Sequence, residues 1–232
     1  MNFSFVLDPD MQALYLQGLL LTLKLMLGCI VLSLLSAIPF ALALNSRWKP
    51  LKYAASMLSY LVRGTPLLLQ LYLIYFGLSQ FQSVRESVAW AALSNPLFCA
   101  LFAFVINEAA YTGEIIAGAL RNLPHGEIEA ARAFGMRPWT IFKRISLPSA
   151  LRNSLPTYSN EVIIVLHGTS LATTVTLLDL TGAASEVYST LYLPFEAFMV
   201  AAVFYMALTF GITRLFRAAE TRYLAYQRPR VA

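Results

Sequence analysis

The sequence is poor in charged residues and cysteines. Of its 232 residues only 12% are charged and 58% are hydrophobic, whereas about a quarter of the residues of a soluble protein are charged. The two cysteines, Cys29 and Cys99, both fall within apolar runs and are too few for a disulfide framework or a metal site. The pattern G-x-x-x-x-G-K-[ST] does not occur, so the chain has no phosphate-binding loop of that kind. These absences favour an integral membrane protein, in which any use of ATP belongs to a partner.

Five apolar runs are long enough to cross a bilayer, because a helix needs about 20 residues to span the hydrocarbon. They lie at about 14–44, 57–80, 97–119, 153–171 and 195–216. The first run is about thirty residues long, lacks a basic leader and follows two aspartates, so it does not resemble a cleavable signal. We therefore expect an all-α integral membrane protein with five transmembrane helices and a single domain, 1–232.

The basic residues predict the orientation, since short cytoplasmic loops are enriched in Lys and Arg. Of the 17 basic residues, 14 follow the first, third and fifth runs: Arg47, Lys49, Lys52, Arg121, Arg132, Arg137, Lys143, Arg144, Arg152, Arg214, Arg217, Arg222, Arg228 and Arg230. The other side holds Arg85 and six acids: Asp8, Asp10, Glu86, Asp179, Glu186 and Glu196. This bias predicts an N-terminus on the outside and a C-terminus on the cytoplasmic side. It also accounts for the net charge of +5 without a nucleic-acid partner.

The basic segment 121–152 lies between two predicted spans and contains EIEAARAFGMRPWTIFKRISLP. Its alanine pair at 130–131 gives a helix face with little bulk, on which a groove of another protein can close. Gly135 is expected to end this helix in a left-handed cap. Pro138 suits the first turn of a second short helix, and Pro148 is expected to mark the next turn or break. The segment therefore indicates a helix-turn-helix that docks to a cytosolic partner.

Ionisable side chains within the predicted spans indicate a polar path, because each is costly in lipid unless it is paired or faces a polar cavity. They are Lys24, Arg63, Glu108, Glu114 and Glu161. In the third run, Asn107, Tyr111, Glu114 and Gly118 share one helical face, and Glu108 lies beside it. In the fourth run, Ser154, Tyr158, Glu161 and Gly168 form a similar stripe, flanked by Asn160 and His167. Two such stripes facing each other would enclose a wet path lined with carboxylates.

Structural pairing is the alternative, in which Glu108 or Glu161 pairs with Lys24 or Arg63. Three acids exceed these two cations, however, and surplus negative charge suits a cationic solute. Glu114 is also compatible with a position near the cytoplasmic mouth. His167 and Ser170, three residues apart, are explained better by a pore lining or a helix–helix hydrogen bond than by a catalytic pair, because no orienting group accompanies them.

Two further segments leave alternatives open. The string Arg63-Gly64-Thr65-Pro66 opens the second run, where it either breaks the helix beside a cavity or starts an ordinary helix at the cytoplasmic surface. Residues 172–193 are weakly apolar and favour an outside loop or interfacial helix that receives an external protein, or a simple connector.

Several strings resemble the membrane subunits of ATP-binding-cassette (ABC) importers. The segment 121–152 resembles their EAA loop, and RGTP followed by Leu67 and Gln70 resembles the polar amino-acid branch. The strings NEAAYTGEIIAGALRNLPHGEIEAARAFG, LPSALRNSLPTYSNEVIIVLHGTSLA and FRAAETRYLAY are similar to the M-type membrane subunits of importers for histidine, lysine, arginine and ornithine. The likeness covers nearly the whole chain and implies the type I ABC importer permease fold.

The resemblance implies roles for individual residues. An ATPase-coupling set follows from the EAA loop: Gly126, Glu129, Ala130, Ala131, Gly135, Ile145, Leu147 and Pro148. A hypothetical solute path combines the polar stripes with the HGTSL string: Asn107, Glu108, Tyr111, Glu114, Tyr158, Asn160, Glu161, His167, Thr169 and Ser170. Many members have K-x-T-S-L where this chain has HGTSL. That departure removes a fixed positive charge and is consistent with a cationic cargo.

The resemblance also implies a non-catalytic, multi-pass subunit of the bacterial inner membrane, without a metal or cofactor of its own. Its expected partners are a homologous second (Q-type) permease subunit, two ATPase subunits that bind ATP and Mg²⁺, a periplasmic amino-acid-binding protein, a basic amino acid and the lipid bilayer. Transport would proceed by alternating access. The alternatives are a self-contained secondary transporter or channel, a permease of the same family for another polar amino acid, and a membrane scaffold without transport.

Overall fold

A computed structural model describes residues 3–224, and of His125 only the backbone. The chain is all-α over this range, as predicted. The helices are α1 (Pro9–Leu44), α2 (Lys49–Arg63), α3 (Leu67–Tyr72), α4 (Gln82–Arg85), α5 (Trp90–Leu93), α6 (Pro96–Arg121), α7 (His125–Ala133), α8 (Pro138–Ile141), α9 (Leu147–Gly168), α10 (Leu180–Leu191) and α11 (Pro194–Tyr223). Arg228, Arg230 and the end of the FRAAETRYLAY string lie outside the described residues.

Within residues 3–224, three helices are long and apolar enough to cross a membrane: α1, α6 and α11. Two bent pairs also qualify if each counts as one span. In the first, Lys49–Arg63 meets Leu67–Gln80 at 99°, and in the second, Pro138–Val175 meets Leu180–Leu191 at 48°. The structure thus gives three to five candidate spans. The count of five and the orientation stay predictions.

Helix α6 lies at the centre of the bundle and packs against α1, α2, α3 and α9. It begins at Asn95, whose side chain accepts the N–H groups of Leu97 and Phe98, a usual way to satisfy the free donors of a helix start. Its buried face is rich in alanine, which lets neighbouring helices approach closely. At Gly113 the approach is so close that a Cβ would lie 2.6 Å from the Phe40 ring.

Residues 172–193 contain a helix with one buried face, so the loop alternative is wrong for residues 180–191, whereas the interfacial-helix alternative stays a prediction. The small face of α10, with Ala183 and Ala184, packs against α1 and α11. The chain reaches it through a 3₁₀ segment, Thr169–Val175, and a left-handed residue, Thr176. Small side chains allow this tight packing, which the weak hydrophobicity of the segment conceals in the sequence.

Asp179 joins these elements at the start of α10. Its carboxylate accepts the N–H groups of Thr181 and Gly182 at 3.1 Å and the hydroxyl of Tyr205 at 3.2 Å. The hydroxyl of Thr173 also donates to it. Asp179 is completely buried, and Glu196 is only 8% exposed. The charge pattern predicted only the side of the membrane on which these two acids lie, and it gave no indication of their burial.

Pro148 does not mark a break, contrary to prediction. The helix continues from α8 through a π turn, Phe142–Ser146, into α9, and Leu147 keeps helical torsions (φ −66°, ψ −47°). A π turn shifts the hydrogen-bond register by one residue. The missing N–H and the ring of proline are accommodated where that register changes.

Candidate functional site

The bend between α2 and α3 brings unpaired backbone groups to one side of the bundle. Pro66 cannot donate a hydrogen bond and precedes α3 with an extended backbone (φ −61°, ψ 136°), so the helix stops at Arg63. Side chains replace the lost backbone partners. The hydroxyl of Thr65 donates to the Leu61 carbonyl at 3.0 Å, and Gln70 Nε2 donates to the Val62 carbonyl at 2.6 Å.

A cavity of about 400 Å³ opens beside this bend. It is bounded by three elements: the bend itself, α6 and α9. Its lining residues are Arg63, Gly64, Thr65, Pro66, Leu67, Asn107, Glu108, Tyr111, Glu161, Ile164 and Gly168. The interpretation of the RGTP string as a helix break beside a cavity thus agrees with the structure. A helix also starts here, because α3 begins at Leu67 directly after Pro66, so the alternative of a helix start at the cytoplasmic surface stays open.

Two carboxylates face this cavity from different helices. Glu108 on α6 is only 4% exposed and accepts the hydroxyl of Thr112 at 2.6 Å. Glu161 on α9 is more accessible, and both acids line the same cavity. A cavity with two acids from separate helices can hold a positively charged group between them.

Asn107 and Tyr111 connect α6 to the bend. Asn107 Nδ2 donates to Gln70 Oε1 at 3.2 Å, and the Tyr111 hydroxyl donates to the Arg63 carbonyl at 3.2 Å. The Arg63 guanidinium lies over the Tyr111 ring, 5.0 Å from its centroid, a cation–π arrangement. The predicted α6 face therefore contacts the broken helix directly.

Glu114 lies beyond the cavity, toward the end of α6 that leads to α7. Its carboxylate lies 3.7 Å from Arg63 Nη1 and 3.7 Å from Arg121 Nη2, and it accepts the Ser59 hydroxyl at 2.9 Å. It lines a separate cavity of about 340 Å³ with Asn122 and other residues of α6 and α9. Glu114 is thus paired, at a different level from Glu108 and Glu161.

The remaining path candidates lie elsewhere on α9 and the 3₁₀ segment after it. The Tyr158 hydroxyl is buried and has no hydrogen-bond partner among residues 3–224, whereas Asn160 is exposed. His167 Nε2 lies 3.3 Å from Thr209 Oγ1, and the Ser170 hydroxyl donates to the His167 carbonyl at 2.7 Å. Thr169 is completely buried. His167 and Ser170 line a groove of about 880 Å³ against α11, separate from the carboxylate cavity.

The predicted docking segment has the expected helix and turn. Gly135 has a positive φ of 73°, and the next N–H, of Met136, donates to the Ala131 carbonyl at 3.1 Å, which completes a left-handed helix end. Pro138 begins α8. Gly126, Glu129 and Ala130 are exposed, Ala131 is 5% exposed, and Ile145, Leu147 and Pro148 are half-buried where α9 begins.

Two aromatic residues of this segment were missed by sequence reasoning. Phe134 is 88% exposed and Trp139 is 68% exposed, on either side of the Gly135 turn. Large apolar side chains in water commonly mark a protein contact. The sequence feature that could have predicted this contact is the presence of two large aromatic residues in a segment rich in charged residues.

Comparison with known proteins identifies the family. Residues 30–224 match the family model described as "Binding-protein-dependent transport system inner membrane component". The octopine transport system permease protein OccM of Rhizobium meliloti is 44% identical over 205 residues, which cover 88% of this chain and 84% of that protein. The histidine/lysine/arginine/ornithine transport system permease protein HisM of Salmonella typhimurium is 42% identical over 210 residues, which cover 90% and 89%.

A solved structure supports the same assignment. The crystal structure of an amino acid ABC transporter with histidines has a chain with a TM-score of 0.83 and 32% identity, covering 96% of this chain and 100% of that one. The MetNI methionine ABC transporter, at 19% identity and a TM-score of 0.71, shares the fold. The chain therefore belongs to the family of binding-protein-dependent inner membrane transport components. It is a non-catalytic permease subunit of a polar amino-acid ABC importer, with the type I importer fold.

Proposed function

We propose that this permease imports basic L-amino acids such as histidine, lysine, arginine and ornithine. The observation that carries this proposal is the cavity at the helix bend, which Glu108 and Glu161 line together. In the low-dielectric surroundings of a membrane, a carboxylate favours a cationic partner strongly. The HisM relatives, named for these four amino acids, support the proposal.

The partners follow from the family and from the docking segment. We propose that Glu129, its neighbours on α7 and the Gly135 turn contact a separate ATPase subunit, where ATP and Mg²⁺ bind. The exposed Phe134 and Trp139 support this contact, because water exposure of such rings is otherwise unfavourable. A homologous second permease subunit, a second ATPase and a periplasmic binding protein complete the proposed assembly. Five spans, a periplasmic N-terminus and an inner-membrane location belong to the same proposal.

The cargo assignment is tested by arginine uptake into proteoliposomes that contain the assembled transporter. Glu161→Gln removes a negative charge but keeps the shape, and we expect uptake at limiting arginine to fall about tenfold or more, since a hydrogen bond to a charged group contributes about 1.5–3 kcal/mol. Glu186→Gln, an exposed acid on α10 outside the cavity, is the matched control. Uptake by Glu161→Gln equal to that by Glu186→Gln would contradict the assignment.

Octopine and nopaline form a second candidate cargo class, because two of the relatives are named for them. They are OccM of Rhizobium meliloti and NocM of Agrobacterium fabrum, the latter 40% identical to this chain. The same proteoliposomes distinguish the two classes when unlabelled octopine and nopaline compete with labelled arginine. Stronger competition by either compound than by lysine or ornithine would replace the basic amino-acid assignment.

A further inference from the structure

Two cavities follow one another along the contact between α6 and α9. The cavity at the helix bend, of about 400 Å³, is lined by residues from 107–111 of α6 and 161–168 of α9. A second cavity, of about 340 Å³, is lined by residues from 114–122 of α6 and 153–157 of α9. The residue numbers rise along α6 and fall along α9, so the second cavity lies at the next level of the same helix pair, toward the end of α6 that leads to α7.

A single, mainly polar face of α6 borders both cavities. Its members follow one another at intervals of three or four residues, which places them on one side of a helix: Asn107, Tyr111, Glu114, Gly118 and Asn122. The first two line the bend cavity and the last three line the second cavity. The face extends about 22 Å along the helix axis, at a rise of about 1.5 Å per residue. The stripe predicted from the sequence therefore borders two cavities, one after the other.

An ion pair lies at the boundary between the two cavities. Arg63 lines the bend cavity and Glu114 lines the second cavity, and Arg63 Nη1 lies 3.7 Å from Glu114 Oε1. Each partner has further contacts on its own side. The Arg63 guanidinium lies over the Tyr111 ring, whereas Glu114 accepts the Ser59 hydroxyl and lies 3.7 Å from Arg121 Nη2. The pair thus joins the end of α2 to α6 between the two cavities.

This ion pair has the properties of a contact that can open. The Arg63 side chain is 41% exposed and the Glu114 side chain is 26% exposed, and a partly exposed ion pair contributes little to stability. Arg63 is the last residue of α2, directly before the bend at 64–66, so a change in the bend moves its side chain relative to α6. Glu114 keeps Arg121 and Ser59 as partners when Arg63 leaves. Opening therefore leaves no unpaired carboxylate at the boundary.

We propose that the second cavity is a second binding site for the amino-acid cargo, and that the Arg63–Glu114 pair is the gate between the two sites, closed in this structure. The proposal rests on the proposed function and on its orientation, in which the second cavity opens toward the cytoplasm. The cargo is bound first beside Glu108 and Glu161. It enters the second cavity when a change in the bend separates Arg63 from Glu114.

The two sites differ in charge, and this difference predicts their selectivity. The Glu114 carboxylate faces two arginines, so its charge is balanced. The neighbouring polar side chains of the second cavity are neutral amides and hydroxyls, among them Asn122, Ser154 and Thr157. Such groups can bind the ammonium and carboxylate groups that all amino acids carry, but they do not distinguish a cationic side chain from an uncharged one. We therefore expect weak, unselective binding there, which favours release.

Cysteine accessibility tests the gate, because the two native cysteines are completely buried. Ile164→Cys reports on the bend cavity and Thr157→Cys on the second cavity. The assembled transporter, in inside-out membrane vesicles, is treated from the cytoplasmic side with a charged methanethiosulfonate reagent that does not cross membranes. With the native ion pair, Thr157→Cys should react about tenfold or more faster than Ile164→Cys, because a minor open state is populated at about 10% or less.

Removal of the ion pair should expose the bend cavity to the cytoplasmic side. In Arg63→Gln we expect the reaction of Ile164→Cys to become about tenfold faster, with Thr157→Cys within about twofold of its former rate. Glu114→Gln removes the pair from the other side and should act in the same way. Arg121→Gln is the matched control, because it also removes one of the two cations beside Glu114 but leaves the Arg63–Glu114 pair in place.

Protection by cargo tests the second site in the same vesicles. In Arg63→Gln, where Glu114 is still balanced by Arg121, arginine and citrulline reach both cavities. These two amino acids have nearly the same shape, but the side chain of citrulline is uncharged. Arginine should protect Ile164→Cys at a concentration about tenfold lower than citrulline does. At Thr157→Cys the two compounds should protect equally, at concentrations about tenfold higher than arginine needs at Ile164→Cys.

The possible results separate this proposal from the proposed function. The gate is contradicted if Ile164→Cys reacts equally fast with and without the ion pair, or if Arg121→Gln accelerates it as much as Arg63→Gln does. The second site is contradicted if neither amino acid protects Thr157→Cys, or if arginine is preferred there as strongly as at Ile164→Cys. Equal protection of Ile164→Cys by arginine and citrulline instead contradicts the proposed function, because the reaction rates that test the gate are measured without cargo.

Discussion

The bundle has two helix bends, of which one is exposed beside a cavity and the other is buried. At the 99° bend after α2, Gly64, Thr65 and Pro66 are all exposed beside a cavity. At the 48° bend before α10, Asp179 is completely buried. Each bend interrupts a helix and frees backbone groups that need new partners. The first bend is open to a polar cavity and the second is closed.

This difference sets how firmly each bend is held. Around Asp179, two N–H groups and two hydroxyls converge on one carboxylate, and the N–H of Leu180 donates to Thr22 on α1 at 3.1 Å. A buried bend must satisfy its polar groups completely, because an unpaired group there is costly. At the exposed bend, water can replace a lost partner. We therefore expect conformational change at the bend after α2 and rigidity at the bend before α10.

The strongest test of this comparison is removal of the Asp179 carboxylate. Asp179→Ala leaves buried donors of Thr181, Gly182 and Tyr205 without their acceptor, and we expect a loss of about 3 kcal/mol or more in the free energy of unfolding. Unfolding of the purified complex in mixed micelles of mild detergent and SDS measures the change. Glu186→Gln, an exposed acid on the same helix, should change stability by less than about 0.5 kcal/mol. A similar result for both variants would show that the buried bend is not held by Asp179.

A second test weakens the packing of α1 against the bend before α10. A Cβ at Gly18 would lie 2.7 Å from the Asp179 carbonyl oxygen and 3.0 Å from Ala183 Cβ. Gly18→Ala must therefore push α1 away from α10, at an expected cost of about 1–3 kcal/mol. At Gly211 on α11 a Cβ would meet nothing within 4 Å, so Gly211→Ala should be neutral or stabilise by up to about 1 kcal/mol. The unfolding assay above compares them, and equal stability would contradict close packing at Gly18.

Local rules explain what the sequence predicted correctly. The left-handed end at Gly135 and the start of α8 at Pro138 depend on the backbone preferences of single residues. The all-α fold follows from apolar runs and composition alone. The shared face of Asn107 and Tyr111 on α6 follows from helical periodicity. Each of these features needs only a short stretch of chain.

Long-range packing explains what could not be predicted. Glu114 pairs with both Arg63 and Arg121 only because α2 folds back along α6 after the turn at 45–48. Asp179 has the sequence context of an external loop acid, and only the packing of α1, α10 and α11 shows that it is buried. The π turn that accommodates Pro148 is likewise invisible in the sequence. Pairwise contacts across helices decide these features, and a single sequence does not contain them.

The smallest expected effect on stability belongs to the exposed bend. Gln70 spans it, since its amide nitrogen donates to the carbonyls of Val62 and Thr65 while its oxygen accepts from Asn107. Gln70→Leu removes these bonds, but water in the adjoining cavity can reach the freed groups. We therefore expect a loss of about 1 kcal/mol or less in the free energy of unfolding. Arginine uptake should fall more than about threefold, because the bend loses its defined shape.

Gln80→Leu is the matched control for Gln70→Leu, because Gln80 is exposed at the far end of the same bent pair. It should leave both unfolding and uptake unchanged. The informative quantity is the ratio of the stability losses in Asp179→Ala and Gln70→Leu. A large ratio is expected if water reaches the bend after α2 but not the bend before α10. At the buried bend, the groups that lose a hydrogen-bond partner then have no water to replace it. Equal losses would mean that both bends are rigid, and the conformational change of this permease would then have to occur elsewhere in the bundle.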